Sequence, residues 1–199
     1  LSEAERENVK DYDHFNDFFT RPLKKSSRPI SSSPLISPVD GVVSQAGKIN
    51  KSEIVQAKGK KYSVSALLDD KSIDTAYFNS FTTIYLSPKD YHRIHMPCDG
   101  DLVSMKYIPG DLFSVNKQTV NNLDQVFARN ERLVCFFNTE FGEMIFILVG
   151  AIFVGSMQTS WEGQISPPYS KSVKHYDYKG QKIRLKKGDE LGRFNMGST

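Results

Sequence analysis

The chain has little cysteine and no long apolar run, and each absence excludes a class of protein. Its two cysteines are too few for a disulfide framework and lack the spacing of a zinc site. Cys135 lies in the apolar run 133–137, where we expect a buried and unreactive thiol. The longest apolar stretch, 144–154, is far shorter than the ~20 residues that a membrane-spanning helix needs. These features favour an ordinary globular domain.

The chain also has little excess charge. A formal net charge of +3 is too small to indicate nucleic-acid binding, and no segment resembles an RNA-recognition motif. The basic residues are nevertheless clustered in two groups. Such a group usually forms a solvated face of the protein, and the alternative is that it is attracted to an anionic membrane surface. The groups are Arg21, Lys24, Lys25 and Arg28, and then Lys171, Lys174, Lys179, Lys182, Arg184, Lys186 and Lys187.

The size and composition fit one globular domain. The chain has 199 residues, of which 39% are hydrophobic and 25% charged. It begins at Leu1 without a methionine and without a recognisable signal peptide. We therefore expect residues to be missing at the N-terminus, including any membrane-binding segment that preceded Leu1.

The pattern predicts a mainly β (α+β) fold, a compact sandwich or barrel-like domain with a few short helices. Several segments are rich in β-branched or aromatic residues and are bounded by Gly, Pro or Asp, as strands are. A short helix up to Leu68 is predicted, with Ser63 as its cap. The predicted strands are 42–43, 54–55, 82–86, 102–108, 133–138, 144–154 and 158–165.

Composition divides the chain into three parts. Residues 1–25 form an N-terminal helical segment, in which Phe15, Phe18 and Phe19 have helical spacing and Asp13 is the expected cap. Residues 26–38 are rich in Ser and Pro and are predicted to be a linker. The remaining residues, 39–199, form the β-rich domain that carries the chemistry.

Ser198, which follows Gly197 near the end of the chain, is a candidate nucleophile. A glycine before a reactive serine permits a strained bend and leaves its carbonyl open to attack. A serine hydroxyl is a poor nucleophile without a base, and the base needs an orienting group. His95 and Asp40 have the right chemistry for those two roles, although spacing leaves open whether they meet in space.

Over nearly its whole length the sequence resembles the phosphatidylserine decarboxylases, particularly the bacterial and mitochondrial type. The combination of His-Arg-Ile-His-Met-Pro at 92–97 with Gly-Ser-Thr at 197–199 is highly specific. The family usually has Leu at the position of Met196, a volume-conserving difference. The other matching segments are 18–23, 38–41, 56–59, 85–91, 109–116, 127–132 and 192–196.

The resemblance implies that a precursor cuts itself between Gly197 and Ser198. His95, oriented by Asp40, would accept the Ser198 proton while Oγ attacks the Gly197 carbonyl. Residue 198 would then become a pyruvoyl group at the start of a separate α subunit. Proximity would be the main catalytic factor, because the nucleophile and the carbonyl are neighbours in one chain.

The resemblance also implies how this cofactor would act on phosphatidylserine. The ketone would form a Schiff base with the serine amine and accept the electron pair left behind by CO2, giving phosphatidylethanolamine. After CO2 leaves, the carbon must be protonated, and His92 is the candidate donor or base near that Schiff base. Phe113 and Ser114 are candidate substrate contacts. No metal is expected, because no third ligand of recognisable spacing accompanies His92 and His95.

The expected location and partners follow from the same resemblance. The protein would be a peripheral membrane protein of the bacterial inner membrane, with the mitochondrial inner membrane as the alternative. It would form a homodimer and would not bind nucleic acid.

Two other functions remain open at this point. A serine hydrolase acting on lipids would use Asp40, His95 and Ser198, although the Gly-X-Ser-X-Gly pattern of such enzymes is absent. The other possibility is a non-enzymatic module that binds a membrane surface. Only the basic clusters and the aromatic residues support it. A stable serine that reacts with fluorophosphonates would indicate the first, and the absence of any cleavage or amine chemistry would indicate the second.

Overall fold

The computed structural model describes residues 1–57, 59–74 and 77–196. Strands form most of the regular structure in this part of the chain, the helices are few and short, and one sheet curls into a half barrel, which confirms the predicted mainly β fold. The longest helix described has six residues, Lys117–Asn122. Within the described ranges, no helix has the length and apolar character needed to cross a membrane.

The regular elements follow one another along the chain as strands interrupted by single short helices. The helices are a 3-10 turn (Val9–Asp11), α1 (Phe15–Phe19), α2 (Val64–Leu68), α3 (Lys117–Asn122) and α4 (Val126–Arg129). The strands are β1 (Val42–Lys48), β2 (Glu53–Ala57), β3 (Lys60–Ser63), β4 (Ser80–Tyr85), β5 (Arg93–His95), β6 (Gly100–Ile108), β7 (Arg132–Thr139), β8 (Gly142–Val149), β9 (Ser156–Thr159), β10 (Gly163–Gln164), β11 (Lys174–Asp177), β12 (Arg184–Leu185) and β13 (Glu190–Asn195).

All the strand pairs are antiparallel. The largest sheet has the order β11-β6-β7-β8, and β12 pairs with the first residues of β6. A second sheet has the order β10-β9-β13-β5. Two smaller ladders, β1 with β4 and β2 with β3, complete the topology. The last strand of the described chain, β13, therefore lies inside a sheet, between β9 and β5.

The core consists of two hydrophobic clusters on opposite faces of the β6–β7 region. Leu133, Cys135 and Phe137 point into one cluster, which also contains buried residues of β5, β9 and β13. Val134 points into the other cluster, with residues of the β2–β3 hairpin and of α2 and α4. Because side chains alternate along a strand and both faces are covered, 133–137 is a continuous apolar run. The first cluster packs the two sheets against each other.

Several predicted boundaries are confirmed and others are wrong. Ser63 caps α2, since its Oγ accepts a hydrogen bond from the Ala66 amide at 3.0 Å. The cap of α1 is His14 rather than Asp13, because the His14 Nδ1 accepts from the Asp17 amide at 3.0 Å. The predicted strand 144–154 ends at Val149 and is followed by a tight turn. The predicted strand 158–165 is divided between β9 and β10, which form a hairpin.

The predicted linker, 26–38, contains no regular helix or strand but is attached to the domain at several points. The Ile36 amide donates to the Pro97 carbonyl at 3.1 Å, and the Pro38 carbonyl accepts from the His95 amide at 2.8 Å. These contacts bring residues 38–41 to the strand that carries His95.

Candidate active site

The site is organised around β13, which leads towards Gly197 and Ser198. On one side Arg193 pairs with Arg93 of β5, and on the other Gly192 pairs with Thr159 of β9. A Cβ at Gly192 would lie 2.3 Å from the Gln158 carbonyl oxygen, so only glycine allows this close pairing. Gly197, Ser198 and Thr199, where cleavage and cofactor formation are predicted, lie outside the described residues.

His92 lies beside the end of β13 and is almost completely buried. Its backbone carbonyl accepts from the Phe194 amide at 3.1 Å, and its ring packs on Phe19 with 4.1 Å between centroids. Its Nδ1 is 2.8 Å from the Asp90 carbonyl oxygen. A carbonyl only accepts, so Nδ1 carries the proton and Nε2 keeps its lone pair. Burial lowers the pKa of His92, which favours this neutral form.

His95 is held by different partners. Its Nδ1 donates to the Gly188 carbonyl at 2.8 Å, which leaves the lone pair on Nε2. The Tyr91 hydroxyl donates to that Nε2 at 3.1 Å, and the two rings are stacked with 5.7 Å between centroids. Burial raises the pKa of Tyr91 to about 12, so the phenol remains a donor at neutral pH. Both ring nitrogens of His95 therefore have partners other than Asp40.

Asp40 lies on the segment next to His95, and its carboxylate is bound by Arg28. The Arg28 Nε donates to both carboxylate oxygens at 2.8 and 3.0 Å, and Nη2 completes the ion pair. Arg28 also binds Glu3, at 2.8 Å. The carboxylates of Asp40 and Glu3 raise the pKa of Arg28, as expected for a guanidinium between two acids. The structure thus brings Asp40 and His95 into one region without joining their side chains.

The strand register places the two motif histidines at different distances from the end of β13. His95 faces Glu190, whereas Arg93 faces Arg193. Roughly 13 Å of strand therefore separates the position of His95 from that of Asn195. His92 precedes Arg93 in the chain and bonds to Phe194, so it lies nearer than His95 to the end of β13.

Phe113 is held in place by a buried asparagine, and Ser114 follows it in the chain. The Asn130 amide oxygen accepts from the Phe113 amide at 3.0 Å, and its nitrogen donates to the carbonyls of Phe113 and Gly150 at 2.8 Å each. The Arg129 guanidinium lies over the Phe113 ring, 4.5 Å from its centroid. The Ser114 hydroxyl accepts from the Asn116 amide at 3.3 Å.

The loop that contains Phe113 contacts the 150–155 turn, which leads into β9 beside the end of β13. A Cβ at Gly150 would be 3.2 Å from the Leu112 side chain and 3.5 Å from the Gly155 Cα. Gly155 precedes Ser156, which pairs with Asn195. This chain of contacts connects the predicted substrate residues to the predicted cleavage region through the 150–155 turn.

Sequence reasoning missed Asn16, which contacts the end of the described chain. Its Oδ1 accepts from the Met196 amide at 2.7 Å, and its Nδ2 donates to the Asn195 Oδ1 at 3.4 Å. No spacing rule predicts a contact between residues so far apart in the sequence. A cleft of about 570 Å³ opens beside this contact. It is lined by Arg6, Asp13, His14, Asn16, Asp17, Thr20, Arg93, Ser156, Gln158, Gln164, Pro167, Arg193, Asn195 and Met196.

The described residues contain no group of three His, Cys, Asp or Glu side chains arranged to hold a metal ion. The imidazoles of His92 and His95 offer acid–base chemistry beside β13, and neither residue is among those that line the cleft.

The chain is similar to known proteins over its whole length. A family model described as phosphatidylserine decarboxylase matches residues 15–199. The protein named phosphatidylserine decarboxylase proenzyme from Dechloromonas aromatica (strain RCB) is 51% identical, over 100% of this chain and 71% of its own length. Proteins of the same name from Francisella philomiragia and Nitrosococcus oceani are 53% and 54% identical over the whole chain, and over 72% and 67% of their own lengths. The chain belongs to the phosphatidylserine decarboxylase family.

Proposed function

We propose that this enzyme removes CO2 from phosphatidylserine to form phosphatidylethanolamine, using a pyruvoyl group made from its own Ser198. The observation that carries the proposal is the buried neutral imidazole of His92 beside the strand that leads to Gly197 and Ser198. The family match and the names of the relatives support the substrate and the existence of a precursor.

The polar cleft beside Met196 supports the proposal of a pyruvoyl group at position 198. When present, such a group would supply a ketone that binds the substrate amine and delocalises the electron pair left behind when CO2 departs. The chain's own contribution is to admit the headgroup and to manage protons. The cleft of about 570 Å³ beside Met196 gives room for a polar headgroup. His92 does not line this cleft, but it bonds to Phe194 near the same end of β13 and offers a lone pair on Nε2.

His92 is proposed to move a proton in both directions. Phosphatidylserine carries a protonated amine, which cannot act as a nucleophile. Nε2 of a neutral imidazole accepts that proton, and the resulting imidazolium donates one to the carbon that has lost CO2. The Asp90 carbonyl accepts from Nδ1 throughout, so the ring keeps its orientation and presents Nε2 to the substrate.

The proposed self-cleavage exchanges an amide for an ester. The Ser198 Oγ forms a bond to the Gly197 carbonyl carbon while the bond from that carbon to the Ser198 nitrogen breaks. The hydroxyl proton passes through a base to the nitrogen, and elimination then releases the Gly197 carboxylate. His95, together with Asp40, is proposed as the base, as the resemblance implies. In the described structure, the two ring nitrogens of His95 bond to Gly188 and Tyr91. The alternative is therefore that His95 positions the backbone at Gly188, and variants of His95 distinguish the two roles.

The protein is further proposed to act as a peripheral membrane enzyme. Ile152 and Phe153 are 47% and 56% exposed at the tip of the turn that follows β8. Phe153 is three residues before Ser156, so at most about 11 Å of chain separates this apolar tip from Ser156, which pairs with Asn195 at the end of β13. A bilayer at this edge would present its lipids to the reactive end of the chain. The bacterial inner membrane, the homodimer and the α subunit starting at Ser198 are part of the same proposal.

The test is to incubate the full-length protein with carboxyl-labelled phosphatidylserine and measure labelled CO2, with intact mass determined in parallel. We expect CO2 release and two polypeptides divided between Gly197 and Ser198. Ser198→Ala, the control, should remain one chain, without a carbonyl that hydrazine traps. A wild-type protein that stays uncut and releases no CO2, but reacts with a fluorophosphonate at Ser198, would indicate the lipid hydrolase instead.

A further inference from the structure

The N-terminal segment reaches across the molecule to the last residues before the predicted cleavage bond. The side-chain oxygen of Asn16 in α1 accepts from the Met196 amide at 2.7 Å. The same side chain donates to the Asn195 Oδ1 at 3.4 Å. One amide therefore binds both the backbone and a side chain at the end of β13.

We propose that Asn16 is a positioning residue for self-cleavage between Gly197 and Ser198, an inference that rests on the proposed function. Asn16 acts through Met196 rather than on the reacting atoms. Its role is to fix the peptide that enters Gly197, so that the serine hydroxyl and the carbonyl it attacks start from one geometry.

The position of Asn16 is itself well determined. Its carbonyl accepts from the amide and from the hydroxyl of Thr20, each at 2.9 Å, which closes the single turn of α1. The Thr20 carbonyl accepts from the Arg93 Nε at 2.9 Å, which joins the helix to β5. Asp17 forms a two-point ion pair with Arg6 at 2.5 and 2.7 Å. The helix therefore cannot shift without breaking bonds to β5 and to the segment before it.

The other side of the chain end is also held. Asn195 is buried, and its Nδ2 donates to the Gln158 Oε1 at 3.4 Å. The Arg193 Nε donates to that same oxygen at 3.1 Å. The ladder with β9 ends at Asn195, so the bond from Asn16 extends the ordered backbone by one residue, to Met196.

That extra residue matters because a glycine comes next. Glycine has the largest backbone freedom of any residue, and attack on its carbonyl needs a near-attack geometry that a free chain seldom adopts. Fixing the Met196 amide removes one source of this freedom directly before the reacting bond. The loss of Asn16 would therefore lower the fraction of molecules that are ready to react.

Asparagine fits this position better than its acidic analogue. Asn16 presents an acceptor to the Met196 amide and a donor to the Asn195 Oδ1. An aspartate would keep the acceptor but would face the Asn195 oxygen with a second acceptor, unless Asn195 flips its amide. We therefore expect Asn16→Asp to cleave more slowly than wild type and Asn16→Ala to cleave more slowly still.

The experiment follows precursor and products over time in full-length protein made by pulse-labelled cell-free translation. Asn16→Ala should slow cleavage about tenfold or more relative to wild type, and Asn16→Asp should lie in between. Asn8→Ala is the matched control, because Asn8 caps the 3-10 turn of the same segment through the Lys10 amide at 3.0 Å. Its cleavage rate should equal that of wild type. Unfolding midpoints of each variant in a Ser198→Ala background measure whether the fold is retained.

The outcomes separate this inference from the proposed function. A wild-type protein that never cleaves contradicts the proposed function itself. A wild-type protein that cleaves, with Asn16→Ala cleaving at the same rate, overturns the positioning role. Equal slowing by the Asn16 and Asn8 variants also overturns it, because the effect would then come from the stability of the segment. If Asn16→Ala fails to fold, Asn16→Asp takes its place. Slower cleavage by folded Asn16→Asp than by wild type supports the positioning role, and an equal rate overturns it.

Discussion

His92 and His95 belong to one short motif, yet their imidazoles occupy different surroundings. His92 is buried against Phe19 and bonds to the Asp90 carbonyl, beside the end of β13. His95 lies further back along the sheet and bonds to Tyr91 and Gly188. Because each ring has its own backbone anchor, replacing one should leave the other in place. The two variants can therefore be interpreted separately.

For His92→Ala we expect normal chain cleavage and a loss of CO2 release of at least about 100-fold, the usual range for removing a general acid or base. Intact mass measures the first effect, and labelled phosphatidylserine measures the second. Because burial lowers the pKa of His92, the neutral form should persist and the wild-type rate should fall only below pH 6.5, the ordinary value. Full decarboxylase activity in His92→Ala would remove this residue from the mechanism.

For His95→Ala, and likewise for Asp40→Ala, we expect that chain cleavage is blocked. His95→Asn distinguishes the two possible roles, because its side-chain amide can still donate towards the Gly188 carbonyl but cannot act as a base. If His95 is the base, the asparagine variant stays uncut; if it positions Gly188, cleavage is largely restored. Normal cleavage in His95→Ala would refute both roles.

Glu131 should make stability depend on pH. It is 2% exposed, its Oε1 has no hydrogen-bond partner within the described residues, and burial raises the pKa of its carboxyl. Its contribution to the free energy of unfolding is therefore fully present below pH 4.5 and is lost as pH rises through the folded pKa. Each unit of pKa difference corresponds to about 1.4 kcal/mol.

We therefore expect Glu131→Gln, which is neutral at every pH, to have a smaller loss of stability between pH 5 and pH 8 than the wild type. Urea unfolding at both values measures the difference, with the Ser198→Ala background keeping the chain in one piece. Parallel pH dependence in the two proteins would show that Glu131 ionises as it does in the unfolded chain.

At the scale of elements, β13 depends on a glycine. A Cβ at Gly192 would lie 2.3 Å from the Gln158 carbonyl oxygen, which would force β13 away from β9. Gly192→Ala should lower the free energy of unfolding by about 3 kcal/mol and should also slow chain cleavage. Gly47→Ala in β1 is the matched control, because its Cβ would meet only Phe81 at 3.8 Å, an ordinary contact. Equal stability losses in urea unfolding of the two variants would contradict this explanation.

The sequence predicted the elements whose apolar pattern is continuous. The strands 102–108 and 133–138 were predicted from their apolar runs. These runs exist because both faces of the β6–β7 region are buried by other parts of the chain. The strand 144–154 was predicted too long, because an apolar turn at its end carries no polar signal. Strand β13 was missed, because Glu190–Asn195 is interrupted by a glycine and mixes charged and apolar residues without strict alternation. Its strand conformation depends on the partners on both sides.

The candidate site was predictable to the extent that it lies in short motifs. His92, His95 and Asp40 were identified from the resemblance, and they remain predictions as catalytic residues. Their distances from the end of β13 depend on the register of β5 with β13, which a sequence pattern does not encode. Asn16 was missed for the same reason, since its contact with Met196 exists only after the N-terminal segment has docked.

At the scale of the whole molecule, the two ends of β8 each carry an exposed aromatic residue. Phe141 precedes the strand and Phe153 follows it, and they are 50% and 56% exposed. The eight-residue strand Gly142–Val149 separates them by about 26 Å. The end of β13 lies near Phe153. If the substrate comes from a bilayer, the edge with Phe153 should face it.

We therefore expect Phe153→Asn to weaken binding to phosphatidylserine-containing vesicles about tenfold, because an aromatic side chain that enters the bilayer is lost. Asparagine is chosen because Phe153 has a φ of 68°, a conformation that asparagine tolerates. Phe141→Asn removes a similarly exposed ring at the distant end and should bind as the wild type does. Vesicle sedimentation measures both, and equal binding by the two variants would argue against this orientation.

The position of β13 between two neighbours bears on what happens once the backbone is cut. In the described part of the chain, the pairs, or rungs, that β13 forms with β5 and with β9 all lie at or before Asn195. Asn16 binds the next residue, Met196, through its backbone amide. Severing the chain after Gly197 would therefore remove none of the rungs that the described residues form. The larger fragment would keep both neighbours of β13, so we expect it to stay folded and to serve as the frame for the proposed decarboxylation.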